Sequence, residues 1–213
     1  MIKKISVLVD NDSWIIPYAE GLVSHFINEG RLALLCRDQS EIPDGDVCFM
    51  LGCMKIVSKE NLQKNKYNLV VHESNLPKGK GFAPVAWQIL EGAASIPVCL
   101  IEANSKVDSG DIWLKDCMKL NGTELHGEWR ILQGKISVEL AKKFVVECAG
   151  LTPATQAGKS SFFKKRTPKD SELDIFKSID EQFNLLRIVD DINYPAFFVK
   201  DGIRYNICIE KCD

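Results

Sequence analysis

The chain has 213 residues, of which 46% are hydrophobic and 26% are charged, and its formal net charge is -2 at pH 7. These values are typical of a globular protein with one domain and a sizeable core. The nearly balanced charge provides no overall attraction to nucleic acid or to an anionic membrane, so we expect neither as a partner. No apolar run approaches the length of a membrane span and no signal peptide is recognisable, which favours a cytoplasmic protein.

Short apolar runs alternate with helical patterns in the first part of the chain. Residues 5–9, 32–36 and 47–51 are predicted strands, and a helical stripe that follows Ser13, a plausible N-cap, stops at Gly30. This alternation predicts an α/β fold, doubly wound around a mixed and mostly parallel sheet. A Gly-x-Gly-x-x-Gly motif is absent after the first strand, which disfavours a nicotinamide or flavin enzyme.

The central part of the chain places two polar residues at the ends of predicted strands. A β-branched run at 67–71 ends at His72, and a second apolar run at 96–101 leads into a polar loop that contains Asp108. Between them lie a loop rich in glycine and proline and a helical stripe at 82–90. In open α/β sheets ligands bind outside the carboxyl ends of the strands, so we expect His72 and Asp108 to face one crevice.

The remainder of the chain is predicted as an appendage. Residues 1–150, which end with a long helix at 124–146, form the predicted catalytic core. Residues 151–213 contain a basic loop, a short helix and a small β-hairpin, and we expect them to pack on that core. The eight cysteines include no Cys-x-x-Cys pair, so we expect reduced thiols and no metal site.

Three motifs resemble those of the folate-dependent formyltransferase family, in the same order and at the same spacings. They are His72-Glu-Ser-Asn-Leu-Pro77, Gly81-Phe-Ala-Pro84-Val-Ala-Trp87 and Val107-Asp108-Ser-Gly110-Asp111-Ile112. Within the family the chain is most similar to the sugar N-formyltransferases. The resemblance implies that a formyl group passes from 10-formyltetrahydrofolate, as co-substrate, to the amino group of a nucleotide-linked amino sugar, such as the UDP-linked 4-amino-4,6-dideoxy-N-acetyl-altrosamine of a pseudaminic acid pathway.

The resemblance also implies roles for individual residues. His72 is the expected oxyanion donor, and Asp108 is its partner and the proton relay. The expected folate pocket combines two segments, represented by Leu51, Gly52, Met54 and Ile56 and by Ala103, Asn104 and Val107. The loop after the first strand, with Asn11, Ser13 and Trp14, either caps a helix or contributes to the acceptor site.

One position departs from the family pattern. The family has an asparagine two residues before the histidine, and here that position is Val70, whose side chain cannot form a hydrogen bond. Either the chain is a non-catalytic binding protein for folate or a nucleotide sugar, or another donor replaces the amide. Lys78 and Asn75, in the loop after His72, are the candidates, and an ammonium group at Lys78 is the preferred one.

Two other acceptors, glycinamide ribonucleotide and tRNA, are disfavoured by features of the sequence. Glycinamide ribonucleotide formyltransferases bind the acceptor phosphate with a glycine-rich loop where this chain has residues 11–14 and no glycine. A tRNA acceptor is disfavoured by the acidic pI and by the end of the chain at Asp213. The nucleotide carrier, the position of the amino group and the oligomeric state stay open.

Overall fold

The computed structural model describes residues 1–212, and a six-stranded sheet forms their centre. The strands of this sheet are β1 (Lys4–Leu8), β2 (Leu32–Cys36), β3 (Gly45–Met50), β4 (Asn65–His72), β6 (Ser95–Glu102) and β7 (Ile112–Lys119), in the spatial order β2-β1-β3-β4-β6-β7. A two-residue strand, β5 (Lys80–Gly81), lies outside this sheet. The predicted strands at 5–9, 32–36 and 47–51 are therefore present, shifted by at most two residues.

The pairing of these strands confirms the prediction of a mixed and mostly parallel sheet. The first four strands in the chain run parallel to one another. Strand β6 is antiparallel to β4, and β7 is antiparallel to β6. Strand β7 corresponds to the apolar residues that follow the Asp108 motif, which were not predicted as a strand.

Helices lie on both faces of the sheet. The helices are α1 (Ile16–Asn28), α2 (Lys59–Leu62), α3 (Pro84–Leu90), α4 (His126–Glu147) and α5 (Phe183–Ile188). Helices α1, α3 and α4 bury their apolar side chains in the main core against one face, where Phe49, Phe144 and Trp129 are almost fully buried. Burial of side chains of this size stabilises the fold by roughly 2 kcal/mol each or more. The short α2 and the turns around it cover the opposite face.

Helix α1 begins later than the sequence suggests. Its first residue is Ile16, it is preceded by the buried Ile15, and no side chain caps its N-terminus. The prediction that Ser13 acts as the N-cap is therefore wrong. The hydrophobic contact of Ile15 with the core fixes the start of this helix, which leaves the polar residues before it in a loop at the edge of the sheet.

Residues beyond the long helix return to the region of the predicted site. Strand β8 (Phe162–Phe163) pairs in parallel with β5, and the two strands β9 (Ala196–Lys200) and β10 (Ile203–Ile207) form an antiparallel hairpin, as predicted. The Trp129 indole nitrogen donates a hydrogen bond to the Arg187 carbonyl, which joins α4 to α5. Within residues 1–212, no helix is long and apolar enough to cross a membrane.

Candidate active site

His72 and Asp108 form a close pair at the edge of the sheet. His72 is the last residue of β4 and is only 5% exposed. Its Nε2 lies 2.8 Å from the Gly79 carbonyl oxygen, and its Nδ1 lies 3.5 Å from Asp108 Oδ1. A carbonyl oxygen only accepts, so Nε2 carries a proton and donates it to Gly79. The imidazole is thereby fixed in orientation with its second nitrogen directed at a carboxylate.

The backbone connection that brings Asp108 to His72 differs from the one that the sequence indicated. Because β6 is antiparallel to β4, its last residue, Glu102, lies beside Leu69 in the middle of β4 and not beside His72. The connection from β6 to β7, residues 103–111, then brings Asp108 back to the end of β4; we call this connection the Asp108 loop. The expectation that the two residues face one crevice agrees with the geometry, although the two strands do not end at the same edge.

The Asp108 carboxylate is held by backbone contacts. Its Oδ2 accepts a hydrogen bond of 2.8 Å from the Gly81 backbone nitrogen. Asp108 itself has a φ of 49°, in the left-handed region that Asp and Asn tolerate better than most residues. Gln156 Nε2 donates to the carbonyl oxygens of both Asp108 and Gly110, at 2.9 and 2.8 Å. These bonds fix both the side chain and the backbone of the proposed proton relay.

The spacing of the Asp-Ser-Gly motif has a steric explanation. A Cβ atom at Gly110 would lie 1.7 Å from the Glu102 carbonyl oxygen, which is far inside van der Waals contact. Only glycine lets the Asp108 loop cross so close to the end of β6. The motif therefore places the carboxylate two residues before a glycine at which the backbone must pass close to Glu102.

A cavity of about 760 Å³ opens beside this pair, at the carboxyl edge of the parallel strands. It is large enough for a ligand of drug size or for parts of two reactants. Its walls contain nearly all the residues that the sequence pointed to. The predicted site residues that line it are His72 and Asp108, the expected folate residues Leu51, Gly52, Met54, Ile56, Ala103, Asn104 and Val107, and the expected acceptor residues Asn11, Ser13 and Trp14.

The expected folate wall presents apolar surface to the cavity. The side chains of Met54, Ile56 and Val107 are about half exposed, although each belongs to an apolar residue type. Exposed apolar groups that line a cavity are typical of a site for a flat ring. Asp10 holds this wall in place, because its carboxylate accepts hydrogen bonds from the backbone nitrogens of Met54 and Lys55.

Asn11 connects the two expected walls of the cavity. Its Nδ2 donates to the Gly52 carbonyl oxygen at 2.9 Å and to Asp10 Oδ1 at 2.8 Å. The amide N–H groups are therefore engaged with the expected folate wall and are not free to bind an acceptor. Substitution of Asn11 is therefore expected to disturb the folate wall as well as the loop that was expected to contribute to the acceptor site.

Lys78 and Asn75 lie outside this cavity, which corrects their expected role at His72. Leu76 and Pro77 are buried, and the residues on either side of them point outwards and are exposed. Lys78 and Asn75 line a separate and smaller surface pocket. The buried lysine of this loop is Lys80, whose Nζ donates to Ser109 Oγ at 2.9 Å.

Comparisons with known proteins agree with this geometry. Residues 37–128, which include β4, His72 and Asp108, match the family model described as formyl transferase. The methionyl-tRNA formyltransferase of Rickettsia prowazekii is 28% identical over 137 residues, which are 63% of this chain and 45% of that protein. The chain thus spans about half the length of the curated relatives that it matches. Residues 37–128 are thus similar to the formyltransferase family.

Solved structures show the same fold over nearly the whole chain. The methionyl-tRNA formyltransferase from Clostridium thermocellum superposes with a TM-score of 0.81 at 19% identity, covering 100% of this chain and 94% of that one. A sugar N-formyltransferase from a Shewanella species gives a TM-score of 0.69 at 13% identity, covering 99% of each chain. HypX from Aquifex aeolicus, solved with tetrahydrofolic acid, gives 0.77 at 15% identity, covering 98% of this chain and 38% of that one.

In this chain the position of the family asparagine has apolar neighbours. Val70 lies on the same face of β4 as His72 and is flanked in the sheet by Met50 and Ile101. It packs against apolar residues of two small core clusters and lines the cavity. An amide at this position would have no polar neighbour in the adjoining strands.

A second part of the cavity wall was missed by sequence reasoning. It comes from α4 and from the segment after it, and its members are His126, Trp129, Arg130, Gln133, Arg166, Asp190, Asn193 and Tyr194. His126 lines the cavity, and burial lowers its pKa to about 4. The helical spacing of Trp129 and Arg130 indicated only a helix face, so the sequence carried no signal for these residues.

Proposed function

We propose that this protein is a formyltransferase, which moves a formyl group from 10-formyltetrahydrofolate to the amino group of a nucleotide-linked amino sugar. The observation that carries the proposal is the position of the His72 and Asp108 pair between two walls of one cavity. One wall is apolar and suits a pterin ring. The other contains two tryptophans, two arginines and several hydrogen-bonding groups, and it suits a sugar with an anionic carrier.

The reaction requires one bond to form and one to break at the formyl carbon. The neutral amine attacks that carbon, the carbonyl oxygen becomes an oxyanion, and collapse of the tetrahedral intermediate breaks the bond to N10 of the folate. One proton must leave the amine and one must reach the departing nitrogen. Both transfers can use a single carboxylate, since it accepts the first proton and donates it again in the second step.

The geometry of the pair suits these needs. Asp108 Oδ1 is the carboxylate oxygen closest to His72, and its distance of 3.5 Å from Nδ1 is longer than an ordinary hydrogen bond. A reacting group can therefore contact both side chains without first breaking a tight bond between them. In this proposal His72 stabilises the developing oxyanion and the adjacent Asp108 carboxylate relays the proton.

A panel of amine acceptors tests the proposal. Purified protein is incubated with 10-formyltetrahydrofolate and with UDP-, dTDP- or CMP-linked amino sugars, and products are read by mass for a formyl increment. We expect product with at least one sugar and none when the formyl donor is omitted. Formylation of glycinamide ribonucleotide alone, or of no acceptor, would overturn the proposal.

Methionyl-tRNA is a second acceptor candidate, favoured by the curated relatives that bear that activity in their names. The same incubation with methionyl-tRNA as acceptor separates the two candidates. We expect no formylmethionine under conditions in which a sugar is formylated. A faster reaction with methionyl-tRNA than with every sugar would assign the tRNA as the substrate.

A further inference from the structure

Arg130 occupies an unusual environment in the wall of the cavity. Its guanidinium carbon lies 4.5 Å from the ring centroid of Trp14 and 4.5 Å from that of Trp129. Trp14 belongs to the loop after β1, and Trp129 precedes Arg130 in α4. Two cation–π contacts of this length hold the planar guanidinium in one orientation. Its N–H groups are thereby presented in a fixed direction beside the cavity.

The hydrogen bonds of Arg130 leave donors without a protein partner. Its Nη1 donates to Gln133 Oε1 at 2.9 Å, and its Nε donates to His126 Nε2 at 3.4 Å. These bonds use two of the five N–H groups of a guanidinium. In the part of the chain that the structure describes, the other three have no hydrogen-bond acceptor.

The positive charge of Arg130 also lacks a paired carboxylate among residues 1–212. The two nearby acidic groups are engaged elsewhere, because Glu73 accepts from Gln133 at 2.6 Å and Asp190 accepts from Asn193 at 2.8 Å. Burial lowers the pKa of Arg130 to about 10. A half-buried cation without a direct counter-ion is costly, and a bound anion offsets that cost.

Two further basic residues lie in this wall, Arg166 and Lys165. Arg166 lines the cavity, burial lowers the pKa of its guanidinium, and its Nε is buried without a hydrogen-bond partner. Lys165 lines the cavity next to it. His126 stays uncharged near neutral pH, because burial and the charges of Arg130 and Arg166 lower its pKa to about 4. Three basic side chains, Arg130, Arg166 and Lys165, therefore outnumber the carboxylates of Glu73 and Asp190 in this part of the cavity, whereas the protein as a whole is slightly acidic.

We infer that Arg130, held between Trp14 and Trp129, binds the diphosphate group of the acceptor. The inference rests on the proposed function, because it takes the acceptor to be a sugar linked to a nucleoside diphosphate such as UDP or dTDP. A guanidinium fork pairs with two phosphate oxygens at once, and such charge-assisted bonds are stronger than neutral ones. Anchoring the diphosphate at α4 leaves the sugar amine to reach the His72 and Asp108 pair across the cavity.

Calorimetric titration with inorganic pyrophosphate tests this inference without any formyl donor or amino sugar. We expect binding by the unmodified protein and at least about tenfold weaker binding by Arg130→Gln, because the fork is lost. Arg130→Lys keeps the charge without the planar fork and should bind with intermediate affinity. If Arg130→Gln does not fold, as judged by circular dichroism, the test uses Arg130→Lys in the same titration. Weaker pyrophosphate binding by Arg130→Lys than by the unmodified protein then supports the inference, and equal binding overturns it.

Arg31→Gln is the matched control. It removes the same charge, but Arg31 pairs with Glu29 and contacts Phe26 away from the cavity. Its pyrophosphate affinity should equal that of the unmodified protein. Equal affinities for the two glutamine variants would overturn the inference, and so would undetectable binding by the unmodified protein at millimolar pyrophosphate.

Kinetics then separates this inference from the proposed function. With an acceptor from the panel, Arg130→Gln should raise the acceptor KM roughly tenfold or more and leave the KM for the formyl donor unchanged. If no nucleotide sugar is formylated but pyrophosphate binding depends on Arg130, the proposed acceptor is wrong and the anion site stands. If sugars are formylated but pyrophosphate binding is unchanged in Arg130→Gln, the proposed function is supported and this inference is wrong.

Discussion

Replacement of Asp108 by asparagine separates catalysis from folding at the centre of the site. Asparagine can present its amide oxygen to the Gly81 nitrogen, which donates to Oδ2 at 2.8 Å. It also tolerates the left-handed φ of 49° at this position. The variant loses the negative charge beside His72 and the ability to carry a proton. We therefore expect a nearly unchanged structure with a disabled relay.

The magnitudes distinguish this variant from the more usual alanine. Asp108→Ala removes a hydrogen bond to a charged group, which is worth about 1.5–3 kcal/mol, and strains the left-handed backbone by about 1 kcal/mol more. Asp108→Asn weakens that bond to an ordinary one, a change of about 1 kcal/mol. Removal of a general acid or base typically lowers kcat by about 100-fold or more. Only in the asparagine variant can such a loss be assigned to chemistry.

Urea unfolding and steady-state kinetics provide the two measurements. We expect Asp108→Asn to lower the free energy of unfolding by about 1 kcal/mol and kcat by about 100-fold or more, with both KM values little changed. A kcat within about threefold of the unmodified enzyme would remove Asp108 from the proton path. A large loss of stability would show instead that the carboxylate mainly holds the loop, and the reasoning from the Gly81 bond would be wrong.

Three further predictions follow from contacts around the pair. Lys80→Met should lower kcat by roughly tenfold, because it removes the hydrogen bond between the buried lysine and Ser109 of the Asp108 loop. The exposed control Lys78→Met should leave kcat and both KM values unchanged. Equal effects of the two substitutions in steady-state kinetics would contradict the proposal that Lys80 positions this loop. Gln156→Leu should also lower kcat with less effect on KM, since it removes the hydrogen bonds of Gln156 to the Asp108 and Gly110 carbonyl oxygens. An unchanged kcat would show that the Asp108 loop keeps its conformation without these hydrogen bonds. The pKa of His126 falls from 6.5 to about 4 on folding, so the unfolded chain binds more protons between these pH values, and the free energy of unfolding should decrease as the pH drops from 6.5 to 4. His126→Gln should make the free energy of unfolding, measured with urea, less dependent on pH in this range. The same pH dependence in both proteins would show that His126 does not cause it.

The sequence was sufficient to predict the strands from local signals, and the expectation that His72 and Asp108 face one crevice agrees with their distance of 3.5 Å. Apolar β-branched runs indicated the parallel strands within two residues. The motifs around His72 and Asp108 are set by close backbone approaches, such as that of Gly110 to Glu102, which tolerate few residue types. Such constraints restrict the residue types at these positions, and the resulting motifs are recognisable in the sequence alone.

Other features depend on distant contacts and left no such mark. The direction of β6 is set by its pairing with β4 and β7, and an apolar run reads the same in either direction. The choice between Lys78 and Lys80 as the buried lysine depends on the pairing of β5 with β8, which lies about 80 residues further along the chain. Neither lysine lies in a periodic pattern, so sequence reasoning had no basis for the correct choice.

The segment beyond residue 150 was predicted as an appendage, but its contacts give it a more direct relation to the site. Gln156 binds the backbone of the Asp108 loop, and the Phe163 carbonyl oxygen accepts a hydrogen bond from the Phe82 nitrogen. A Cβ atom at Gly81 would lie 2.5 Å from that same oxygen, so Gly81, whose nitrogen binds Asp108, is packed directly against this segment. Arg166 and Tyr194 from the same segment line the cavity. The carboxylate that we propose as the proton relay and the wall that we assign to the acceptor are therefore both supported by residues after 150, which argues that the core and the appendage form one functional unit.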